Sequence, residues 1–326
     1  MEQILDKIKW GIIGCGDVTE VKSGPALQKA KGSQLVAVMR RSGELAEDYA
    51  RRHNVPRWYD DADALIGDEE VNAVYVATPP SSHKKYTIAA AEAGKLVYVE
   101  KPMALNYQEC REMIRACQKN KVPLFTAYYR RALPRFLKIK SILDSGSLGQ
   151  ILAVNIRLFQ KPKQEDLDGQ DHWRVKPEIA GGGYFYDLAS HMLDLIQYYL
   201  GPIQSAIGYQ SNSGQLYEAE DNVVASFSFN DGVLGTGIWN FYASLELDET
   251  EIFVTNGYLK YSTFQDEPII LHSDSKEAKY EIDNPAHIQQ PLIQTVVDDL
   301  LGKGTSLSTG KTGALTNKVM DQIYNN

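Results

Sequence analysis

Residues 9–19, with the sequence KWGIIGCGDVT, are the part of the chain that is most informative about its fold. It begins with an apolar run of the kind found in strands that are buried on both faces of a sheet. A loop with Gly14 and Gly16 follows, and Asp17 and Val18 come where a helix is expected to begin. In such a loop the first glycine makes a tight turn and the second lets a pyrophosphate approach the backbone, while Thr19 replaces the usual third glycine. The stretch predicts a dinucleotide-binding strand, turn and helix, with a purely structural turn as the alternative.

Four further apolar runs follow in the first part of the chain, separated by amphipathic segments of helical length. These runs are residues 35–39, 73–77, 96–100 and 124–128. Strands that alternate with helices form βαβ units and a parallel sheet. We therefore expect an α/β domain over residues 1–128, built on a doubly wound parallel sheet.

The second part of the chain has a different pattern. Its strand-like segments are residues 151–159, 223–229 and 233–242. The last two meet at an Asn-Asp-Gly turn, which is typical of a hairpin. A helix is predicted over residues 184–200, after three glycines and before Gly201 and a proline. We expect residues 129–326 to form an α+β domain with an antiparallel sheet and one or two helices on one face.

The other face of this sheet is expected to stay uncovered and apolar around residues 223–242. An uncovered apolar face invites a partner of the same kind. We therefore expect a homodimer or homotetramer that assembles through the C-terminal sheet.

Length and composition exclude several classes of function. The chain has 326 residues, of which 43% are hydrophobic and 23% charged, with 34 basic and 42 acidic side chains and a formal net charge of -8. Nucleic acid and anionic membranes are not expected as partners, because neutralising phosphates requires a basic surface. No run approaches the roughly 20 apolar residues of a membrane span. Three cysteines and an N-terminus without an apolar signal segment predict a cytoplasmic location. No metal is expected, because the sequence lacks a set of metal ligands at matching spacing.

Arg40, Arg41 and Ser42 follow the second predicted strand. An NAD-binding protein usually carries an acidic residue there, which binds the ribose 2′-hydroxyl. Two guanidinium groups and a hydroxyl suit a 2′-phosphate instead, because arginine matches phosphate geometry with a fork of donors. The sequence favours NADP(H), with NAD(H) also possible, and a solvated basic start of a helix is the structural alternative.

Two sets of side chains have the chemistry of proton transfer. Lys101 follows the strand at residues 96–100, at the carboxyl edge of the sheet, where its ammonium can face a reacting oxygen. Asp187 and His191 are four residues apart on the predicted helix and therefore share a face. A carboxylate there can orient an imidazole, which titrates near neutral pH. A strand end with a turn proline and an ordinary polar helix surface are the structural alternatives.

In this order and spacing, the motifs resemble those of the Gfo/Idh/MocA family, which is named for glucose–fructose oxidoreductase, inositol dehydrogenase and a rhizopine-catabolism protein. The motifs span nearly the whole chain and are the Gly14 loop, Thr78-Pro79 with His83, Glu100-Lys101-Pro102, Trp173-Arg174, and the glycines at residues 181–183 that lead to Asp187 and His191. The resemblance implies an N-terminal Rossmann domain. It also implies a C-terminal domain with a large, open and mostly antiparallel sheet, which often forms the subunit interface.

The resemblance also implies roles for single residues. In the family, the lysine that matches Lys101 lies near the nicotinamide and the reacting oxygen, and its bond to the following proline is often cis. The residues that match Asp187 and His191 complete the site, with the histidine as the usual proton donor or acceptor. The other expected site residues are Thr78, Pro79, His83 and Glu100 for the cofactor, and Tyr129, Trp173 and Arg174 for the substrate.

The main hypothesis is reversible hydride transfer between NADP(H) and a CH–OH or C=O carbon of a sugar, polyol or related cyclic compound. Lys101 and His191 would handle the proton and Asp187 would orient the imidazole. One alternative is a glycosidase that works by redox elimination with a tightly held NAD, and another is a dinucleotide-sensing regulator without turnover. The basic side chains of Arg40 and Arg41 weigh against the first alternative, and the presence of lysine, aspartate and histidine weighs against the second.

Overall fold

The computed structural model describes residues 6–170, 172–273 and 276–325 of the chain. The chain divides into two compact units. The first takes the chain up to Leu133 and the segment Pro285–Ala314, and the second takes Pro134–Asn284 and the chain from Leu315. The predicted boundary after residue 128 lies near Leu133, where the chain first passes from one unit to the other. A single boundary does not describe the segment Pro285–Ala314, which returns to the first unit.

Six parallel strands form the sheet of the first unit. They are β1 (Ile8–Ile13), β2 (Ser33–Met39), β3 (Arg57–Tyr59), β4 (Ala73–Val76), β5 (Leu96–Val99) and β6 (Leu124–Thr126). The order β3-β2-β1-β4-β5-β6 places β1 beside β4 at the switch point, where doubly wound sheets bind ligands beyond the carboxyl ends of their strands. The predicted parallel α/β fold is confirmed. The prediction lacked β3, because none of its three residues is fully buried and it has no continuous apolar run.

Helices connect the successive strands of this sheet. They are α1 (Asp17–Val21), α2 (Gly24–Lys29), α3 (Gly43–Arg52), α4 (Ala62–Gly67), α5 (His83–Glu92) and α6 (Tyr107–Lys119). The core of the unit includes Ile13, Val76, Val99 and Met113, which have no exposed surface. Burial of these strand residues explains why the strands are apolar without alternation.

Eight strands form the sheet of the second unit. They are β7 (Ile151–Phe159), β8 (Ile203–Ser211), β9 (Asn222–Phe229), β10 (Leu234–Asn240), β11 (Leu247–Val254), β12 (Gly257–Tyr261), β13 (Ile269–Ser273) and β14 (Lys276–Tyr280). Their order is β14-β13-β12-β11-β7-β10-β9-β8, and among these described strands only the β7–β10 pair is parallel. The expected large, mostly antiparallel sheet is confirmed, as is the β9–β10 hairpin.

The two faces of this sheet differ. Further helices of the described residues are α7 (Pro134–Asp144), α8 (Gln164–Leu167), α9 (Pro177–Ala180), α10 (Ser190–Leu200) and α12 (Gly310–Tyr324), with α11 (Gln290–Leu300) in the first unit. Helical residues cover one face, where the rings of Phe185 and Trp239 lie 5.1 Å apart. The opposite face leaves apolar side chains in contact with solvent, with Ile207 50% and Leu234 63% exposed.

The helix predicted over residues 184–200 is present but not regular. A π-helical turn, Phe185–Ala189, precedes α10. The helix ends where Gly201 has a φ of 87°, a conformation that favours glycine, and its N–H donates to the carbonyl of Gln197 at 2.9 Å. No helix within the described residues has the length and apolar content needed to cross a membrane.

Candidate active site

The glycine loop lies beyond the carboxyl end of β1, against the segment that follows β4. Gly14 has a φ of 93°, and a Cβ there would lie 2.8 Å from Cγ2 and 3.0 Å from the backbone nitrogen of Thr78. A Cβ on Gly16 would meet nothing within 4 Å, so the backbone is open to a ligand at this position. Buried Thr19 donates its hydroxyl to the carbonyl of Gly16 at 2.7 Å, which pins the turn without a third glycine. The loop thus fits the pyrophosphate of a dinucleotide.

Arg40, Arg41 and Ser42 follow the carboxyl end of β2, and the last two are exposed. Among the described residues, neither guanidinium has an ion pair or a side-chain hydrogen bond. By contrast, Arg51 on α3 is paired with Asp48 at 2.7 Å. The hydroxyl of Ser42, at the start of α3, makes no capping hydrogen bond. These three side chains are available to a phosphate group, and their part in cofactor binding stays a prediction.

Burial and the charge of Arg40 both influence the Cys15 thiol of the glycine loop. Burial raises the pKa of the Cys15 thiol to about 11, and the positive charge of Arg40 acts in the opposite direction. The thiol stays protonated at neutral pH and is no nucleophile. Arg40 therefore acts electrostatically on the same turn that the pyrophosphate is expected to approach.

His83 lies beneath the segment that was expected to line the cofactor cleft. Its Nε2 lies 2.7 Å from the carbonyl oxygen of Thr78, and its Nδ1 lies 3.1 Å from that of Pro102 and 3.3 Å from that of Met103. The ring has no exposed surface, and burial lowers its pKa. A neutral imidazole has one N–H, so His83 donates to one of these carbonyl groups and packs against the others, between the Thr78-Pro79 segment and the residues after β5. Its part in binding the cofactor stays a prediction.

Lys101 follows β5 and is held through its neighbour Glu100. Glu100 is 6% exposed and accepts hydrogen bonds from the hydroxyl of Tyr75, from Nε2 of Gln289 at 2.9 Å and from the backbone of Lys101 at 3.1 Å. Burial raises the pKa of Tyr75, so its hydroxyl stays protonated and donates. The peptide bond between Lys101 and Pro102 is cis, as the family resemblance implied. Both carboxylate oxygens of Glu100 are therefore engaged in fixing the end of β5.

In the second unit, Asp187 lies in the π-helical turn and is half-buried. Its Oδ2 lies 3.7 Å from Nε of Arg174. The guanidinium of Arg174 also lies over the ring of Trp173, 4.6 Å from its centroid. The predicted Trp173-Arg174 pair is thus adjacent to the predicted catalytic carboxylate, and π-helical turns often occur at functional sites.

His191 is the second residue of α10 and is 4% exposed. Its ring meets that of Phe264 edge to face, with the centroids 6.0 Å apart and the planes at 74°. Phe264 belongs to the connection between β12 and β13, which the sequence analysis did not associate with the site. The imidazole therefore has an apolar wall on one side.

The segment at residues 161–171 is polar and charged, a composition that is more typical of a lid or loop than of a helix or strand. Asp171 lies outside the described residues, and the rest contains α8. Asp166 on α8 is 4% exposed, accepts from the hydroxyl of Tyr184 at 2.9 Å, and lies 2.8 Å from Nε2 of His172. The segment is therefore anchored beside the start of the π-helical turn, because a buried carboxylate needs such partners.

Tyr129 was a candidate for the substrate site. It lies in a 3₁₀ turn after β6, is 6% exposed, and has the guanidinium of Arg130 5.3 Å from its ring centroid.

Among the described residues, no group of three or more His, Cys, Asp or Glu side chains could hold a metal ion. The predicted cofactor residues and Lys101 thus all belong to the first unit, and Trp173, Arg174, Asp187 and His191 to the second.

Comparisons with known proteins match segments in both parts of the chain. Residues 8–128 match the model of an oxidoreductase family with an NAD-binding Rossmann fold, and residues 136–260 match that of the GFO/IDH/MocA C-terminal domain. Oxidoreductase P35 of Formosa agariphila is 39% identical over 316 residues, which are 97% of this chain and 98% of that protein. The chain belongs to the Gfo/Idh/MocA oxidoreductase family.

Two other proteins extend the comparison. The 1,5-anhydro-D-fructose reductase of Ensifer adhaerens is 27% identical over 94% of this chain and 92% of its own length. The solved structure of a levoglucosan dehydrogenase in complex with NADH and levoglucosan has a TM-score of 0.84 at 21% identity, and it covers 98% of this chain and 96% of that one. As a Gfo/Idh/MocA oxidoreductase, the protein is an NAD(P)-dependent enzyme.

Several residues that support this Gfo/Idh/MocA site were missed from the sequence. Gln289 holds Glu100, and Glu220 accepts from the backbone of Gly183 at 2.9 Å and from the hydroxyl of Tyr324 at 3.1 Å. Their partners lie far away along the chain, so no local spacing reveals them. No local signal marks them either, because Glu220 lies between other acidic residues, Glu218 and Asp221, and Gln289 is followed by a second glutamine.

Proposed function

We propose that this oxidoreductase transfers a hydride reversibly between NADP(H) and a CH–OH or C=O carbon of a sugar, polyol or related cyclic compound. The observation that supports the proposal is the pair Arg40 and Arg41, whose guanidinium groups have no ion-paired partner among the described residues and which directly follow β2, where an NAD-binding protein usually carries an acidic residue. The names of the Ensifer reductase and the levoglucosan dehydrogenase support a cyclic sugar as substrate.

The proposed mechanism divides the work between the cofactor and the protein. The nicotinamide, when bound, supplies or accepts the hydride. In the reductive direction the imidazole of His191 gives its proton to the developing alkoxide, and the ammonium of Lys101 stabilises the charge on that oxygen. Asp187 orients the imidazole, and Arg174 beside it keeps the carboxylate in place. In the oxidative direction the same imidazole takes the proton from the hydroxyl.

The direct test is turnover by the purified protein with 1,5-anhydro-D-fructose and levoglucosan as probes. We expect NADPH to be consumed with the ketone and NADP⁺ to be reduced with the alcohol, both followed by the absorbance of NADPH. NADH should be a poorer cofactor because it leaves Arg40 and Arg41 without a phosphate. Conversion of a sugar with no net change in cofactor would favour redox elimination, and NADPH binding without any turnover would favour the regulator.

We further propose that the protein is a homodimer or homotetramer formed through the uncovered face of the C-terminal sheet. Ile207, Val224 and Leu234 share this face by strand register and are 50%, 42% and 63% exposed. Light scattering on a sizing column should give two or four chains for the wild type. The double variant Ile207→Asp/Leu234→Asp should give a smaller species, since each new carboxylate would have to lose its water in the interface. Leu45→Asp, on exposed α3 of the first unit, is the control that should leave the assembly unchanged, and a monomeric wild type would refute the proposal.

A further inference from the structure

The connection between β12 and β13, residues 262–268, is longer than a tight hairpin turn and is fixed by a buried carboxylate. Asp248 on β11 is 5% exposed. It accepts hydrogen bonds from the backbone N–H groups of Thr263 at 3.0 Å, Phe264 at 2.5 Å and Gln265 at 3.1 Å. Three donors on one charged acceptor hold this part of the backbone in a single conformation.

A buried cation fixes the same connection through its carbonyl groups. Arg135 on α7 is 3% exposed, and its guanidinium donates to the backbone oxygens of Ser262 at 3.2 Å, Gln265 at 2.7 Å and Glu267 at 2.8 Å. Three backbone donors and three backbone acceptors of this connection are thus bound by two side chains of opposite charge. None of these six hydrogen bonds involves the side chain at position 264.

This rigid loop presents one half-buried aromatic side chain, Phe264, to the imidazole of His191. The edge-to-face contact at 6.0 Å leaves the phenyl ring beside the group that, in the proposed function, meets the reacting oxygen. On the side of the imidazole that Phe264 occupies, a substituent on the carbon next to the reacting one would meet the phenyl ring. The substituent on that neighbouring carbon is therefore the chemical group that would pack against Phe264.

We infer that Phe264 is a specificity-determining residue, which selects substrates that present a C–H edge and not a hydroxyl beside the reacting carbon. The inference rests on the proposed function, in which His191 handles the proton. Carbon-bound hydrogens pack well against an aromatic ring. A hydroxyl in the same place would lose its hydrogen bonds to water and find no partner on the ring. 1,5-Anhydro sugars and sugars deoxygenated at this carbon, both of which carry a methylene group there, are the substrate class that fits.

The test compares two ligands that differ only at this position. 1,5-Anhydro-D-glucitol has a methylene group where D-glucose carries its anomeric hydroxyl. Calorimetry on the protein–NADPH complex should show that the wild type binds 1,5-anhydro-D-glucitol about 10- to 100-fold more tightly than D-glucose, because an apolar wall discriminates against an added hydroxyl by no more than about this factor. Binding is measured without turnover, so the result does not depend on the rate of the reaction.

Two variants of nearly equal shape separate polarity from packing. Phe264→Leu keeps an apolar wall and should keep most of the preference, whereas Phe264→Asn offers hydrogen bonds to the hydroxyl and should reduce the ratio of affinities to within about 3-fold of one. Gln265→Ala, an exposed side chain on the same loop, is the control and should behave as the wild type. Titration with NADPH alone should give the same affinity for all four proteins, which reports that each is folded.

Each outcome decides between the proposals. An equal preference in the wild type and both Phe264 variants, or no preference in the wild type, overturns the role of Phe264. The proposed function survives that result if the wild type still turns over 1,5-anhydro-D-fructose with NADPH. If the protein–NADPH complex neither binds nor converts any of these sugars, both the role of Phe264 and the proposed sugar substrate fall.

Discussion

Replacing His191 with alanine should lower turnover by about 10²- to 10⁴-fold, the usual range for the loss of a general acid or base. The imidazole is 4% exposed and lies beside Phe264, so little water can take over proton transfer at this place. His191 belongs to the second unit, whereas the glycine loop and the Arg40 segment belong to the first. The affinity for NADPH, measured by fluorescence titration, should therefore change by less than about 3-fold.

His272→Ala is the matched control, because this histidine is exposed on β13 of the same unit. It should keep the wild-type rate. The dependence of the rate on pH supplies a second readout: the limb that reports the imidazole should disappear in His191→Ala and persist in His272→Ala. Full activity of His191→Ala would show that another group moves the proton, and the assignment would then be wrong.

The double variant Arg40→Ala/Arg41→Ala should weaken NADPH binding by about 10²- to 10⁴-fold and leave NADH binding nearly unchanged. Two charge-assisted hydrogen bonds to the 2′-phosphate would be lost, and each contributes about 10- to 100-fold in affinity. NADH has a hydroxyl at that position and cannot make these bonds. The ratio of the two dissociation constants, measured by fluorescence titration at one ionic strength, is the decisive quantity.

Arg51→Ala is the matched control for this measurement. It removes a positive charge from the same region, but its guanidinium is already paired with Asp48 and is not available to a phosphate. The single variants Arg40→Ala and Arg41→Ala should each lose part of the effect, and NADPH binding should weaken with added salt more steeply in the wild type than in the double variant. Equal affinity of the wild type for NADPH and NADH would disprove the 2′-phosphate interpretation.

The parts of the fold that were predictable are those that local sequence determines. The apolar run before Gly14 predicted β1 and its turn. The Asn-Asp-Gly turn predicted the β9–β10 hairpin, and Gly201 predicted the end of α10. In each case the residues that cause the structure are neighbours along the chain. The short strand β3 was missed because none of its three residues is fully buried, so it has none of the signal on which strand prediction relies.

The parts that were not predictable depend on residues that meet only after folding. Gln289 and Glu100 are 189 residues apart, and no spacing rule connects them. The contact between Phe264 and His191 likewise joins residues that are far apart along the chain. Asp166 shows a second reason: the polarity of residues 161–171 is typical of a lid or loop, but a polar side chain with two partners can be buried as well.

The return of the chain to the first unit has a consequence for its synthesis. The backbone N–H of Lys31 donates to Gln294 on α11 at 2.8 Å, and Gln289 just before that helix donates to Glu100. A nascent chain therefore emerges past residue 289 before the strand that precedes Lys101 gains this partner, and the surface of α2 that α11 covers stays open in the meantime. Contacts this distant along the chain are made slowly, so folding of the cofactor-binding half is coupled to the translation of a segment far downstream of it.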